Sequence, residues 1–327
     1  MALKLPIKLL KILVSLGILG LIFTQIDLNQ AWNRIQYLSW PFIIFALLYY
    51  TGSQWLSCLR WQIVLRSTGH LVPIHSLLSS YFAGMFVNIF LPGSFGGDVY
   101  RVYRVSQKTK DAEVAVASVF IERFTGLVAI VALGLVGLPL AFNIVGRWDI
   151  ILLFVTCVGA ISGGSLLIVS PRLLIWTEPW LQKLRLTGLA ARLAKIQIIF
   201  IKFAQHRKAL ALAIALSLLI ALSVIFYLYL LAQQLKIPIS FLELLVLAPI
   251  SIVVTLLPIS LGGLGVQEGL WAYFFTRIGL TAEQAVLLSL TFTILGWLLS
   301  LPGGVILLLD SAGFQQAYAA SRKSKVN

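Results

Sequence analysis

The sequence predicts an all-α polytopic membrane protein with six full transmembrane helices and two re-entrant helix pairs arranged as an inverted repeat. Of its 327 residues, 60% are hydrophobic and only 11% are charged, whereas a typical soluble domain is about half apolar and about one quarter charged. The apolar residues form runs close to the ~20 residues that a spanning helix needs, and a proline-glycine motif occurs twice. These observations exclude a water-soluble globule.

Eight apolar runs are candidates for spans. They cover about 9–26, 41–59, 74–91, 113–142, 150–169, 209–232, 241–257 and 281–309. If all eight crossed, the basic loops 60–73 and 92–112 would lie on opposite faces. If 74–107 and 241–277 instead enter and return on one side, 20 of the 25 Lys and Arg residues face the cytoplasm. Because basic residues concentrate on that side, we predict the re-entrant topology in the cytoplasmic (inner) membrane, with both termini inside.

The inverted repeat rests on matched spacing. The pattern Leu-Pro-x-Ser-x-Gly-Gly occurs at 91–97 and at 257–263, and the runs that begin at 41 and 113 correspond to those that begin at 209 and 281. The first repeat is 1–145, with spans at about 9–26, 41–59 and 113–142 and the re-entrant pair 74–107. The second is 146–315, with spans at 150–169, 209–232 and 281–309, a basic interfacial linker at 171–208 and the re-entrant pair 241–277. A basic cytoplasmic tail occupies 316–327.

Each motif is expected to break a helix, because proline removes a backbone donor and glycine lets the chain reverse. Irregular backbone at membrane depth is tolerated only against protein or a water-filled cavity. Two such breaks in inverted halves are typical of a transporter's central site, and a packed structural kink is the alternative. Asn88 is expected to satisfy backbone groups near the first break. The predicted turn residues are Pro92, Gly93, Gly96, Gly97, Pro258, Gly262, Gly263 and Gly265.

Glu122 and Arg123 lie about ten residues into an apolar run, roughly 15 Å deep. A charge at the bilayer centre costs about 2.5–3.5 kcal/mol on insertion scales, so both are expected to face the bundle interior and to find partners. The planar donor fork of arginine suits phosphate oxygens. The candidate substrate-binding residues are Arg60, Arg101, Arg123, Glu122, Asp98 and Glu268. The three carboxylates would orient the arginines or bind a coupling proton, and a purely structural ion-pair network is the alternative.

Other partners are limited by composition. In a membrane protein, a net charge of +14 reflects cytoplasmic loops rather than nucleic-acid binding. The three histidines lack metal-ligand spacing, and no ATP-binding P-loop motif occurs. We expect no cofactor, no metal and no catalytic residue. The expected partners are membrane lipids, chiefly anionic, and envelope-biosynthesis proteins are further candidates. The linker 171–208 fits either an amphipathic helix on anionic lipid or a connector packed on the bundle.

The motifs resemble those of a known family. The residues that carry the resemblance are Leu91-Pro92-Gly93, Gly96-Gly97-Asp98 with Arg101, Glu122-Arg123 with Gly126, and Pro258-x-Ser260-x-Gly262-Gly263-x-Gly265 with Glu268. In order and spacing they are similar to the flippase-like membrane domain of lysylphosphatidylglycerol synthases. The resemblance implies a bacterial or archaeal membrane protein with re-entrant helices that moves a lipid between leaflets. The full synthases append a soluble aminoacyl-transferase domain, so synthase activity is not expected here.

We therefore expect a flippase-like transporter of an anionic phospholipid or a polyprenyl-phosphate-linked lipid, with an arginine-lined central cavity that holds the phosphate. One alternative is a membrane-embedded lipid-modifying transferase. Such enzymes need clustered acids for a metal or a general base, and no Asp-x-Asp occurs. The other alternative, a non-catalytic partner-binding subunit of a lipid or cell-envelope pathway, is supported only by the linker 171–208.

Overall fold

The computed structural model describes residues 33–90, 96–145, 187–255 and 265–323, with isolated helical positions between 152 and 163. Within these ranges every regular element is an α-helix and no strand occurs, which confirms the predicted all-helical class. The predicted span 9–26 and most of the span 150–169 lie outside the described residues. So do the predicted turn residues Pro92, Gly93, Pro258, Gly262 and Gly263.

Four helices form the first described part of the chain. They are α1 (Trp40–Ser67), α2 (Ile74–Phe90), α3 (Gly96–Thr109) and α4 (Ala112–Val145). Polar side chains cap two of them at the N-terminal end. At α1, Ser39 Oγ accepts a hydrogen bond from the Phe42 N–H at 3.4 Å. At α4, Asp111 Oδ1 accepts one from the Val114 N–H at 3.0 Å. Such caps satisfy backbone donors that the helix itself cannot.

The second described part contains α5 (Thr187–Gln205), α6 (Arg207–Gln234), α7 (Phe241–Thr255), α8 (Val266–Arg277) and α9 (Ala282–Lys323). Reciprocal capping boxes begin α7 and α9. The Glu243 N–H donates to Ser240 Oγ while the Ser240 N–H donates to Glu243 Oε2, and Thr281 and Gln284 repeat the arrangement. These caps fix where each helix starts, independently of the apolar packing further along.

Within the described residues, four helical segments are long and apolar enough to cross a membrane. They are Trp40–Ser67, Ala112–Gly137, Arg207–Gln234 and Ala282–Leu309, and they coincide with the predicted spans 41–59, 113–142, 209–232 and 281–309. The chain is therefore a multi-pass membrane protein. The helices α2, α3, α7 and α8 have only 17, 14, 15 and 12 residues. At 1.5 Å per residue they rise roughly 18–25 Å, which is less than a hydrocarbon core of about 30 Å.

Helices α1 and α6 are antiparallel neighbours. Near the end of α1, Arg60 Nη1 donates to Ser217 Oγ near the start of α6 at 2.7 Å. Tyr50 lies ten residues before Arg60, and Tyr227 lies ten residues after Ser217. The rings of these two tyrosines stack with centroids 5.3 Å apart, so the two helices run in opposite directions. Phe292 of α9 packs against both tyrosines, with centroids 5.9 Å away. The contact between these two helices therefore has a polar zone and an aromatic zone.

The remaining helices pack in crossed pairs. Helix α2 lies along α9, and α7 lies along α4. One apolar core fills the space among α6, α7, α8 and α9, where Leu231, Leu244 and Phe274 are fully buried. Another lies among α1, α2, α3 and α4 around Trp61 and Leu77. The described helices therefore form a continuous bundle in which each short helix is held against a longer one.

Helix α5, which belongs to the predicted basic linker, packs on the bundle. Its Phe200 ring lies edge-on to the rings of Phe120 and Phe124 in α4, with centroids 6.1 and 5.3 Å away. Lys195 is exposed and reaches Glu113 at 3.6 Å. The described part of the linker therefore contacts α4 and leaves Lys195 exposed, and the choice between the two alternatives stays a prediction.

A close helix crossing lies between α2 and α3. Gly97 has no side chain, and a Cβ there would overlap the backbone carbonyl of Gly84. Asn88 Oδ1 accepts a hydrogen bond from the Gly97 N–H at 2.6 Å. This contact confirms that Asn88 serves the backbone beside the first motif. It also explains the need for glycine at this position, since any larger residue would push the two helices apart.

We expect Gly97→Ala to destabilise the protein by about 1–3 kcal/mol, the usual cost of overpacking a close contact. The measurement is thermal unfolding of the purified protein in detergent. Gly52→Ala is the matched control, because nothing lies within 4 Å of the added Cβ in the middle of α1. Equal unfolding temperatures for the two variants would contradict the close crossing.

Candidate functional site

Glu122 of α4 is the centre of a buried ionic cluster. Its Oε1 accepts hydrogen bonds from Arg60 Nη2 and from the Tyr81 hydroxyl at 3.2 Å. Its Oε2 accepts one from Arg101 Nη2 at 2.6 Å. These donors come from α1, α2 and α3, so a single carboxylate joins four helices. Glu122 is 1% exposed, and a carboxylate this deep in protein requires such compensation.

Arg60 connects the cluster to the second part of the chain. One terminal nitrogen bonds to Glu122 and the other donates to Ser217 of α6 at 2.7 Å. Gly126, one turn beyond Glu122 on α4, makes room for this guanidinium, since a Cβ there would lie 3.2 Å from Arg60 Nη1. The motif Glu122-Arg123-x-x-Gly126 therefore combines a charge with the space that its partner occupies.

Arg101 of α3 is enclosed by aromatic rings. Its guanidinium carbon lies 4.2 Å from the ring centroid of Trp61 and 4.1 Å from that of Tyr81. Trp61 is held in place because its Nε1–H donates to Ser118 Oγ at 3.0 Å. Cation–π contacts of this kind are strongest where the cation is desolvated. Arg101 is thus fixed between two rings while it bonds to Glu122.

Asp98 bridges Arg101 to Arg123. It accepts from Arg101 Nη1 at 3.1 Å, and it accepts two bonds from Arg123, from Nε at 2.9 Å and from Nη2 at 3.1 Å. The two arginines differ in their access to the surroundings. The Arg123 side chain is 40% exposed, whereas that of Arg101 is 4% exposed. Arg123 is therefore the arginine of the cluster that a ligand could reach with least rearrangement.

Among the described residues, the cluster holds more positive than negative charge. Three guanidinium groups face two carboxylates there, and arginine stays protonated in proteins. In addition, the Nε–H groups of Arg60 and Arg101 are buried and have no hydrogen-bond acceptor within the described part of the chain. Donors exceed acceptors, so this arrangement is suited to one further anion.

Glu268 is the one predicted site residue that lies apart from the cluster. It is in the first turn of α8, and its Oε2 accepts a hydrogen bond from the Gly265 N–H at 2.7 Å. Its Oε1 accepts one from the Ser289 hydroxyl at 3.1 Å. The structure thus brings five of the six predicted residues together and gives Glu268 uncharged partners instead.

The predicted turn glycines that the structure describes lie at helix starts. Gly96 and Gly97 begin α3, directly before Asp98. Gly265 precedes α8 with φ +82°, a left-handed conformation that glycine adopts without strain. These glycines position the first turn of each helix, and therefore the carboxylate that each first turn carries.

Four residues that take part in the cluster were missed by the sequence reasoning. Trp61, Tyr81, Ser118 and Ser217 all contact its charged members or hold their neighbours. Ser118 and Ser217 are hydroxyl groups in apolar spanning segments, and that was the signal that could have identified them. Tyr81 follows two serines and Trp61 follows Arg60, so neither gave a separate signal.

A basic cavity lies elsewhere, at the C-terminal end of α1. It has a volume of about 600 Å³ and is lined by Arg66, His206, Arg207, Lys208 and neighbouring residues where α5 meets α6. It does not include Arg123. The arginines of the cluster and the basic residues of this cavity are therefore distinct sites of positive charge.

Comparisons with known proteins agree with this architecture. A sequence model of the family described as the lysylphosphatidylglycerol synthase TM region matches residues 8–304. The UPF0104 membrane protein PH1989 of Pyrococcus horikoshii is 21% identical over 292 residues, which cover 82% of this chain and 86% of that protein. No solved structure matches. Because the family match covers most of the 327 residues, the chain belongs to the lysylphosphatidylglycerol synthase TM-region family, as a member that carries the membrane region.

Proposed function

We propose that this protein moves a lipid with a phosphate headgroup between the leaflets of the cytoplasmic membrane. The lipid would be an anionic phospholipid or a polyprenyl-phosphate-linked lipid. The observation that carries the proposal is the buried cluster of three arginines and two carboxylates, whose donors are in excess of its acceptors. Membership of a membrane family named for a lipid synthase is consistent with a lipid-related role.

The depth of the cluster supports a transport role. Glu122 lies ten residues into a segment that is apolar and long enough to cross the membrane, so it is roughly 15 Å from the start of that segment. Ionisable groups at this depth are costly, and they often mark substrate pathways. Within the described residues this cluster has one guanidinium more than it has carboxylates, and a phosphate headgroup would offset that charge.

In this proposal Arg123 contacts the phosphate directly. Its side chain is the exposed one, and Asp98 aligns its guanidinium through two hydrogen bonds. The buried Arg60 and Arg101 add positive electrostatic potential at the position of the phosphate. Asp98 and Glu122 keep the three guanidinium groups oriented. The role is one of binding and orientation, with no covalent step. Glu268 takes no part in holding the phosphate.

We further propose the topology of six crossings and two re-entrant pairs. The short helices α2 and α3 would form the first pair, and α7 and α8 the second. The inverted repeat, with halves 1–145 and 146–315 and the tail 316–327, is supported by helix order and packing. Helices α1 and α6 both have 28 residues, and α2 packs on α9 as α7 packs on α4. Both termini would face the cytoplasm.

Lipid movement is tested by reconstitution of the purified protein into liposomes that contain labelled phosphatidylglycerol. We expect label to reach an impermeant quencher faster than in protein-free vesicles. Arg123→Ala should slow this movement by about tenfold or more, because a hydrogen bond to a charged group contributes about 1.5–3 kcal/mol. Arg123→Lys should retain part of the rate, since it keeps the charge and loses the fork.

The matched control is Arg277→Ala, which removes an arginine at the end of α8 that lies over the Tyr273 ring. It should leave the rate unchanged. Rates equal to those of protein-free vesicles for the unmodified protein would exclude transport of this lipid. An unchanged rate for Arg123→Ala, with a slowed rate for Arg277→Ala, would exclude the assigned phosphate site.

Orientation is tested by labelling single cysteines in intact cells, in a variant that lacks Cys58 and Cys157. We expect Lys236→Cys to react with an impermeant thiol reagent, because the α6–α7 loop would face outward. Lys108→Cys, near the end of α3, should react only after the membrane is permeabilised. The reverse pattern would overturn the proposed orientation.

A further inference from the structure

Glu268 is a buried carboxyl group that the proposed phosphate site does not use. It is 0% exposed and is bonded to the Gly265 N–H at 2.7 Å and the Ser289 hydroxyl at 3.1 Å. Ser289 in turn accepts a hydrogen bond from Gln267 Nε2 at 3.0 Å. All of these partners are uncharged. A buried carboxylate without a cation is costly, so this site differs in kind from Asp98 and Glu122.

The charged groups on the helices that pack around Glu268 are too distant to pair with it. Helix α8 packs against α7 and α9. The other ionisable side chains described on these helices are Glu243, Tyr273, Arg277 and Glu283. Glu243 bonds to Ser240 at the start of α7, and Arg277 lies nine residues further along α8, roughly 13 Å away along the axis. Glu283 lies six residues before Ser289, roughly 9 Å along α9.

A short hydrogen-bonded path connects this carboxyl group to a small cavity. The cavity has a volume of about 30 Å³ and lies among α6, α7, α8 and α9. Gln267, Ser251 and Thr255 provide its polar lining. The rest of the lining is apolar, and a cavity of this size with three polar side chains accommodates a water molecule. Because Gln267 lines the cavity and donates to Ser289, two hydrogen bonds separate the cavity from Glu268.

We infer that Glu268 is a proton-binding site served by this cavity. The proton adds to a carboxylate oxygen, forms an O–H bond and converts the buried anion into a neutral carboxyl group, with no electron transfer. A proton added to Asp98 or Glu122 would weaken an ion pair, whereas a proton added to Glu268 removes a buried charge that has only uncharged partners. The ligand of this site is thus a proton, and its use as the coupling ion rests on the proposed transport function.

The proton would act on the start of α8. The carboxylate accepts from the N–H of Gly265, the residue directly before α8. A neutral carboxyl group is a weaker acceptor than a carboxylate. Protonation therefore loosens the N-terminal cap of α8, and deprotonation restores it.

Proton binding is tested without reference to transport, by infrared difference spectroscopy of the purified full-length protein between about pH 5 and pH 9, a window in which buried carboxyl groups titrate. We expect a protonated-carboxyl C=O band that grows as the pH falls and is lost in Glu268→Gln. Glu283→Gln, which removes a half-buried carboxylate at the start of α9, should retain the band. Persistence of the band in Glu268→Gln, or its absence from the unmodified protein, would overturn the inference.

A second variant tests the inference even if Glu268→Gln does not fold. Ser289→Ala leaves the carboxyl group in place and removes a donor to its ionised form, so the titration of the band should move to higher pH. An unmoved titration would refute the assigned hydrogen-bonded path.

In the liposome assay, Glu268→Gln should lose the dependence of the lipid rate on pH. A rate that keeps its full pH dependence in this variant would remove the coupling role, while failure of transport in the unmodified protein would remove the proposed function and leave the infrared result standing.

Discussion

The structure depends on the carboxylate of Glu122, which two arginines and a tyrosine hydroxyl share within a segment that is apolar and long enough to cross a membrane. Each of these groups would be expensive to bury alone, and removal of one partner from a buried ion pair typically destabilises a protein by about 3–5 kcal/mol. Because the donors come from α1, α2 and α3, compensation of the charge requires these helices to meet α4 in one register. The free-energy cost of an unpaired buried charge therefore favours the one arrangement of the bundle that brings all four helices to Glu122.

The positions of the long helices could be predicted from the sequence, because the length of an apolar run is enough to identify them. The helices at 41–59, 113–142, 209–232 and 281–309 are long runs with few charges, and the structure has helices there. The ends of the helices were less predictable. Helix α1 extends to Ser67, beyond the predicted limit of 59, because Arg60 and the residues after it find partners on neighbouring helices. A hydropathy profile treats Arg60 as a loop residue, since it does not include tertiary compensation.

The site was predictable in its charges but not in its partners. Glu122 and Arg123 could be identified from their depth, and Asp98 and Arg101 from their place after the first motif. Glu268 follows the second motif in the same way, yet the structure surrounds it with uncharged donors. The reason is that α8 carries no arginine three residues after its acid, whereas α3 has Arg101 three residues after Asp98. The enclosing rings of Trp61 and Tyr81 depend on how α1, α2 and α3 cross, which spacing along the chain does not encode.

The contact between α1 and α6 has two chemically different zones. Guanidinium and hydroxyl groups meet at Arg60 and Ser217, while the rings of Tyr50, Tyr227 and Phe292 meet ten residues away, a separation of roughly 15 Å along the helices. In the proposed transport, an ionic headgroup that moves along this contact would exchange counter-charges for aryl faces and phenolic hydroxyls. Its free energy would rise most steeply at the aromatic zone, so the kinetic bottleneck for a polar solute would fall beside the rings rather than at the charged cluster.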